Sequence, residues 1–318
     1  MEIKKVLSLV GASVLVFCVG CGQQKALEEP LDIATLNGPT GMGMTKVIAD
    51  QNKNYRITIY QSPDEITGKI ISGELEIACV PSNLAAVLNA KTKQNISLLG
   101  VNTLGVLYLV EKGESLTDLS DLRGKKILAS GQGSTPEYIL NQLLESAGLQ
   151  VGKDVEVQYF SNHTEVVGAL LADESTIALL PEPHVTIAMT KAPELKIAMD
   201  LNAAWEKQEG TKLPMGVMIA RADFVKEHPK ELESFLEDYL ESVAFVNTEP
   251  SEAAQMMVQA GLFEKAEIAE KAIPNAHIVW EQGQMAKKDL EPFYKILQDH
   301  NPKAIGGNLP DESFYYSK

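Results

Sequence analysis

Arginine is nearly missing from this 318-residue sequence: Arg56, Arg123 and Arg221 are the whole set. None lies in a glycine-rich loop, which removes the planar, two-pronged donor that proteins favour for carboxylates, sulfonates and phosphates. Cysteine is also scarce. Cys18 and Cys21 belong to the N-terminal segment, so Cys79 is the single thiol beyond it and no intrachain disulfide can form there. Its setting, the apolar run "LEIACV", reads as a small core residue and not a nucleophile. Positive charge is in deficit, and the formal balance of −15 argues against nucleic acid or anionic lipid as a partner. Histidines are few and scattered. His163 and Glu165 lack a second histidine at ligand spacing, His184 reads as a surface or capping residue, and neither a metal nor a cofactor is expected. Low-complexity tracts are absent, and 45% hydrophobic residues suffice for one large core or two moderate ones.

The longest apolar run, Val6 to Val19 behind Lys4 and Lys5, is too short for a comfortable membrane span and reads as a targeting segment. The following "FCVGCGQQK" resembles the lipobox of bacterial lipoproteins, although Cys18 stands where leucine is usual. That resemblance implies a signal peptide over residues 1–20, lipid carried on Cys21, a tether over 21–30, and a protein held at the extracytoplasmic face of a cell membrane.

From Leu31 onward, short apolar runs alternate with small-residue loops and segments of helical spacing, the signature of βαβ units and a mostly parallel sheet. "LDIATL", "YRITIYQ" and "LEIACV" read as strands, and "GMGMTKVIAD" as a helix. "SPDEITGKIISGE" is a helix with Ser62 and Glu65 as a capping box and Gly73 as its left-handed stop. The second half repeats the grammar: strand "KKILAS", glycine loop "GQGSTPE" with a Ser134/Glu137 capping box, helix "YILNQLLESAGL", strand "VEVQYF", helix "SNHTEVVGALLADE", strand "STIALL" and loop "PEPHVTIAM". Two like lobes follow. The apolar runs around Asn102-Thr103 carry the chain out, the extended "KLPMGVMIARADFVKEHP" carries it back, and the remainder reads as helical. The bounds are 31–104 with 215–318 for one lobe and 105–214 for the other, and two crossings imply a cleft between them.

The stretch "NGPTGMGMT" nearly spells a nucleotide loop, but Met44 replaces the required lysine, and Lys46 would project about 200° away on a helix. Nucleotide hydrolysis is not expected. A glycine loop before a helix can instead offer bare backbone N–H groups to a modest polar ligand. Ligands of open α/β sheets sit beyond the C-terminal strand ends, where this chain presents four loops: Gly38 to Gly43, Pro81 to Asn83, Gly131 to Thr135, and Pro181 to Pro183. The residues in question are Gly38, Thr40, Gly41, Ser82, Asn83, Gly133, Ser134, Thr135 and Glu182, joined by Asn102 at the crossing. Glu182, stiffened between prolines, could accept hydrogen bonds from an amine or ring N–H. Tyr108, Trp205, Met215 and Met218 are candidates to line the cleft or fill the core.

Together, "ATLNGPTGMG", "SGELEIACVPSNLAAVL", "SLTDLSDLRGKKILASGQGSTPEYILNQLLESAGL" and "LLPEPHVTIA" resemble the extracytoplasmic substrate-binding proteins of ABC importers, of the nitrate, sulfonate and taurine type that includes binders of thiamine-pyrimidine precursors. The resemblance covers most of residues 31–220 and implies an α/β fold of the type II periplasmic-binding kind, two lobes joined by a two-strand hinge with an interlobe cleft. It further implies a small-molecule ligand, delivery to ABC permease subunits, action as a monomer and no catalysis. Two alternatives share the fold: an enzyme like those of menaquinone or tetrapyrrole synthesis, for which Glu182 with Ser134 or Asp173 is the weak candidate set, and a sensory lipoprotein without a permease.

Overall fold

The computed structural model describes residues 29–113, 116–172 and 177–317. The expected signal peptide, Cys21 and Asp173 lie outside the described residues. In chain order the strands are β1 (Leu31–Leu36), β2 (Tyr55–Tyr60), β3 (Ile77–Pro81), β4 (Ile96–Thr103), β5 (Leu107–Lys112) and β6 (Lys126–Ser130). They continue as β7 (Glu156–Phe160), β8 (Ile177–Pro181), β9 (Leu195–Asp200), β10 (Gly216–Arg221) and β11 (Ile278–Gln282). These form a six-stranded sheet in the order β11-β4-β10-β3-β1-β2 and a five-stranded sheet in the order β7-β6-β8-β5-β9.

Each sheet is parallel where the chain winds through βαβ units and antiparallel where it crosses. β1 pairs in parallel with β2 and β3, and β6 with β7 and β8. β10, arriving from the second lobe, inserts antiparallel between β3 and β4. β5, arriving from the first, inserts antiparallel between β8 and β9. Each sheet therefore takes one strand directly from a crossing.

The helix Pro63–Ser72 starts as read, with Ser62 and Glu65 completing the capping box and Gly73 stopping it at φ 81°. Three readings need correction. "GMGMTKVIAD" is not one helix but two short ones, Pro39–Met42 and Thr45–Ala49, because Thr45 Oγ1 turns back to Met42 O and the chain kinks at Gly43 and Met44. The C-terminal part is not all helical: "IVWEQ" forms β11 against the free side of β4, a short apolar run whose strand character exists only through that edge. The returning segment is strand β10 followed by a short helix, Ala222–Glu227.

Two short segments join the sheets, Leu104 to Val106 between β4 and β5 and Thr211 to Met215 before β10. Neither is left unpaired. Leu104 N donates to His277 O at 3.1 Å and Met215 N to Thr103 O at 2.9 Å, while Glu182 N reaches Val106 O at 3.0 Å and Ser82 N reaches Met215 O at 3.0 Å.

Trp205 and Met218, candidates for the cleft, are fully buried in cores. Trp205, on the second-lobe helix Leu201–Glu209, packs edge-on against Phe293 of the helix Gly283–His300 with ring centroids 5.9 Å apart, so one apolar cluster runs from lobe to lobe. Among the described residues no helix is long and apolar enough to cross a membrane. Phe293→Ala empties the first-lobe side of this contact and is expected to lower unfolding free energy by about 3–5 kcal/mol, read from the urea midpoint.

Candidate functional site

The C-terminal edges of the two sheets lie close together because the three-residue crossing Leu104–Val106 can span only about 10 Å. All four predicted loops emerge there. In the first, Asn37 Oδ1 accepts from Gly38 N at 2.9 Å, and Gly38 takes φ 96°, a conformation that disfavours a side chain. A Cβ on Gly41 would lie 2.1 Å from Leu36 O, so glycine is a steric requirement there. Thr40 O accepts from the buried Asn102 Nδ2 at 3.4 Å, which brings two predicted residues into contact. The helix behind this loop is split into four- and five-residue pieces, so the half-charge of a long helix N-terminus is not available to it.

Met44 faces the core and is fully buried, whereas Lys46 pairs with Asp50 at the surface at 2.5 Å. The nucleotide-loop resemblance ends there. Asn102 also borders an internal polar group in which burial pushes the Cys79 thiol up to about 12, with Thr35 and Asn102 bonding to it in opposition.

In the second loop both side chains are committed to scaffolding. Ser82 Oγ donates to Pro214 O at 2.8 Å on the return crossing, and Asn83 Nδ2 donates to Ala304 O at 3.3 Å.

The third loop turns through Gly131 at φ 79° and Gly133 at φ 75°, then enters the helix Thr135–Ser146. The Ser134/Glu137 capping box does not form. Ser134 Oγ donates to Gly131 O at 2.5 Å, and Glu137 Oε2 accepts from Gly133 N at 2.5 Å, one residue ahead of its expected partner. A second left-handed glycine tightens the turn and brings the Gly133 amide to the carboxylate first. Thr135 is buried at the start of the helix.

The fourth loop places Glu182 where the two lobes meet, nearly fully buried. Its carboxylate accepts from Thr186 Oγ1 at 3.0 Å, from Thr186 N at 3.2 Å and, across the lobes, from Asn275 Nδ2 at 3.2 Å. Burial raises its pKa, and those donors with nearby His277 oppose the rise. Tyr108 Oη donates to the carbonyl of the same Asn275 at 2.7 Å.

Sequence reasoning missed one constellation. Ser130 at the end of β6, His163 at the start of the helix after β7 and His184 at the start of the helix after β8 converge on one rim of the second lobe. Ser130 Oγ and His163 Nδ1 are 2.5 Å apart, the two imidazole centroids are 5.0 Å apart, and His184 Nδ1 is buried without a hydrogen-bond partner. Burial, with His184 alongside, lowers the His163 pKa to about 4, and burial lowers that of His184. Both rings are neutral near pH 7. The available signal was positional: "SNH" and "PEPH" each put histidine where a parallel strand hands over to a helix. Among the described residues no group of three or more His, Cys, Asp or Glu is arranged to hold a metal ion.

The arginines are engaged elsewhere: Arg56 with Asp32, Arg123 with Asp154, and Arg221 with Asp223 and Gly73 O. The cleft loops themselves contain neither arginine nor lysine.

Two α/β lobes joined by two short crossings, with glycine turns gathered at the facing strand ends, define a binding protein of the type II periplasmic class. Residues 51–270 match the family described as "ABC transporter, phosphonate, periplasmic substrate-binding protein", and the chain belongs to that family. An ABC transporter protein from Parabacteroides distasonis is similar at 25% identity and TM-score 0.79, over 92% of this chain and all of that one. The periplasmic aliphatic sulphonate binding protein of Escherichia coli shares 15% identity at TM-score 0.69, over 91% of this chain and 92% of its own. The periplasmic nitrate-binding protein of Synechocystis shares 13% at TM-score 0.60, over 89% and 83%. No curated protein matches the chain in sequence.

Two outcomes follow from this geometry. Met44→Lys, which completes the nucleotide-loop pattern, forces an unpaired charge into the core and is expected to cost about 3–5 kcal/mol of stability in urea titration without conferring ATP hydrolysis. A His163 pKa held below its ordinary 6.5 means that the unfolded chain takes up the proton first. The stability contribution is therefore whole above pH 6.5 and is lost as pH falls toward about 4; His163→Gln is expected to show a shallower decline over that window.

Proposed function

We propose that this protein captures an uncharged or cationic small molecule, of heterocyclic kind, between its lobes and hands it to an ABC permease without altering it chemically. The observation that carries this reading is electrostatic. The cleft loops bring no guanidinium or ammonium group, while Glu137 is bonded to the Gly133 amide and Glu182 stands where the lobes meet. An anion at the third loop would meet the Glu137 carboxylate on the amide it would need. A ring with N–H and acceptor atoms finds complementary partners in Ser130, His163 and His184, neutral groups able to donate or accept.

The predicted residues divide between turns and scaffold. Gly38, Thr40, Gly41, Gly133, Ser134 and Thr135 form the turns that face the ligand in this reading. Ser82, Asn83 and Asn102 hold those turns and the crossings in place. Glu182 acts chiefly where the lobes meet, since its oxygens already serve Thr186 and Asn275. We take residues 31–104 and 215–318 as one lobe and 105–214 as the other, acting as a monomer anchored through lipid on Cys21 at the extracytoplasmic face of the membrane.

The test is thermal shift of residues 22–318 against a panel of heterocyclic amines, alkyl phosphonates and alkyl sulfonates, alongside mass spectrometry of any co-purified molecule. A heterocycle at about one hundred times its Kd is expected to stabilise the fold by about 2.7 kcal/mol. His163→Ala is expected to weaken the same ligand by about 1–3 kcal/mol, from a partner left unsatisfied. A shift produced by phosphonates or sulfonates and not by heterocycles overturns the ligand class while leaving the transport family intact.

A further inference from the structure

Beyond the crossings and Glu182, the lobes also meet in polar contacts next to the third loop, among them His300 Nε2 with Gln142 Oε1 at 3.3 Å. Asn301, which follows the first-lobe helix Gly283–His300, donates from Nδ2 to Tyr138 Oη at 2.8 Å. The same Oη donates to Gly133 O at 2.9 Å, the carbonyl of the glycine turn itself. Tyr138 is buried, and its ring stacks on His300 at a centroid distance of 6.1 Å and an interplanar angle of 16°. Asn301 is held in turn: its Oδ1 accepts from Lys303 N at 3.1 Å, capping the short turn Pro302–Ile305, and Asn83 Nδ2 fixes that turn through Ala304 O.

A phenol has one proton to donate and lone pairs to accept with, and here both roles are filled, the donor by the glycine turn and the acceptor by the opposite lobe. The result is a continuous line of contacts from the second loop to the third: Asn83, the turn Pro302–Ile305, Asn301, Tyr138, Gly133. If separated, Asn301 and the Tyr138 lone pair could each bond to water instead, so this pair adds only a modest bias toward the arrangement seen here.

We propose that Tyr138 and Asn301 are positioning residues forming a strut between the lobes, which sets the Gly131–Gly133 turn in its binding geometry only when the lobes are together. This inference rests on the fold and not on the ligand class proposed above, and its test needs no ligand. Amide exchange of the segment 131–138 and the radius of gyration by small-angle X-ray scattering are measured on the full folded chain for the wild type, Tyr138→Phe, Asn301→Ser and the double variant. Phenylalanine keeps the stacked ring, and serine can still cap Lys303 while falling short of Tyr138. Asn301→Ser is expected to exchange about fivefold faster in that segment, the effect of one net hydrogen bond, and Tyr138→Phe, which removes both bonds of the hydroxyl, faster still; both show a larger radius of gyration, and the double variant matches Tyr138→Phe. Exchange that rises in Tyr138→Phe alone would make the hydroxyl a purely local brace of its own turn and overturn the strut. Wild-type exchange and radius in Asn301→Ser would do the same, even if Tyr138→Phe failed to fold.

Discussion

The two crossings carry the constraint on which everything else depends. The first runs directly from the end of β4 to the start of β5, the second from the helix Leu201–Glu209 into β10, and each is too short to wander. Their backbone groups are paired with Ser82 and Glu182 of the loops, with Thr103 at the end of β4 and with His277 just before β11. The architecture that permits hinge motion also places the loops, because the same hydrogen bonds serve both. This explains why several polar residues at the strand ends, Ser82 foremost, face the scaffold and not the cleft.

Charge distribution gives the site its second character. A chain with 43 acidic and 28 basic residues would be expected to concentrate what cations it has where an anionic cargo docks. Instead its arginines pair with aspartates away from the loops, and in the proposed site the loops offer glycine amides, hydroxyls and two imidazoles kept neutral by burial. Membership of a phosphonate-binding family and a cleft without guanidinium are compatible: the family match describes fold and transport role, and the loops hold the local chemistry.

Much of the fold was readable because its signals are local. Ser62, Glu65 and Gly73 start and stop their helix through bonds within a dozen residues, and β1 and β2 fall within a residue of the runs that announced them. The failures share a cause. β11 is a strand only because β4 offers it an edge, the first loop's helix breaks where Thr45 Oγ1 turns back to Met42 O, and Gly43 beside it has no room for a Cβ, which would lie 2.5 Å from the Tyr239 hydroxyl. Glu137 likewise moves one amide forward because two left-handed glycines retighten the turn.

The amino-acid order alone was enough to determine most of the alternation of strands and helices, the double winding into two α/β halves, the glycine turns at strand ends and the methionine, Met44, where a nucleotide loop carries lysine. These depend on periodicity, capping and backbone freedom, which act over a few residues. Only the tertiary structure could decide that Trp205 and Met218 belong to cores, that Glu182 reaches across to Asn275, and that Ser130, His163 and His184 share one rim. Each of those facts joins residues tens of positions apart through burial or a single hydrogen bond, and no local pattern encodes such a meeting.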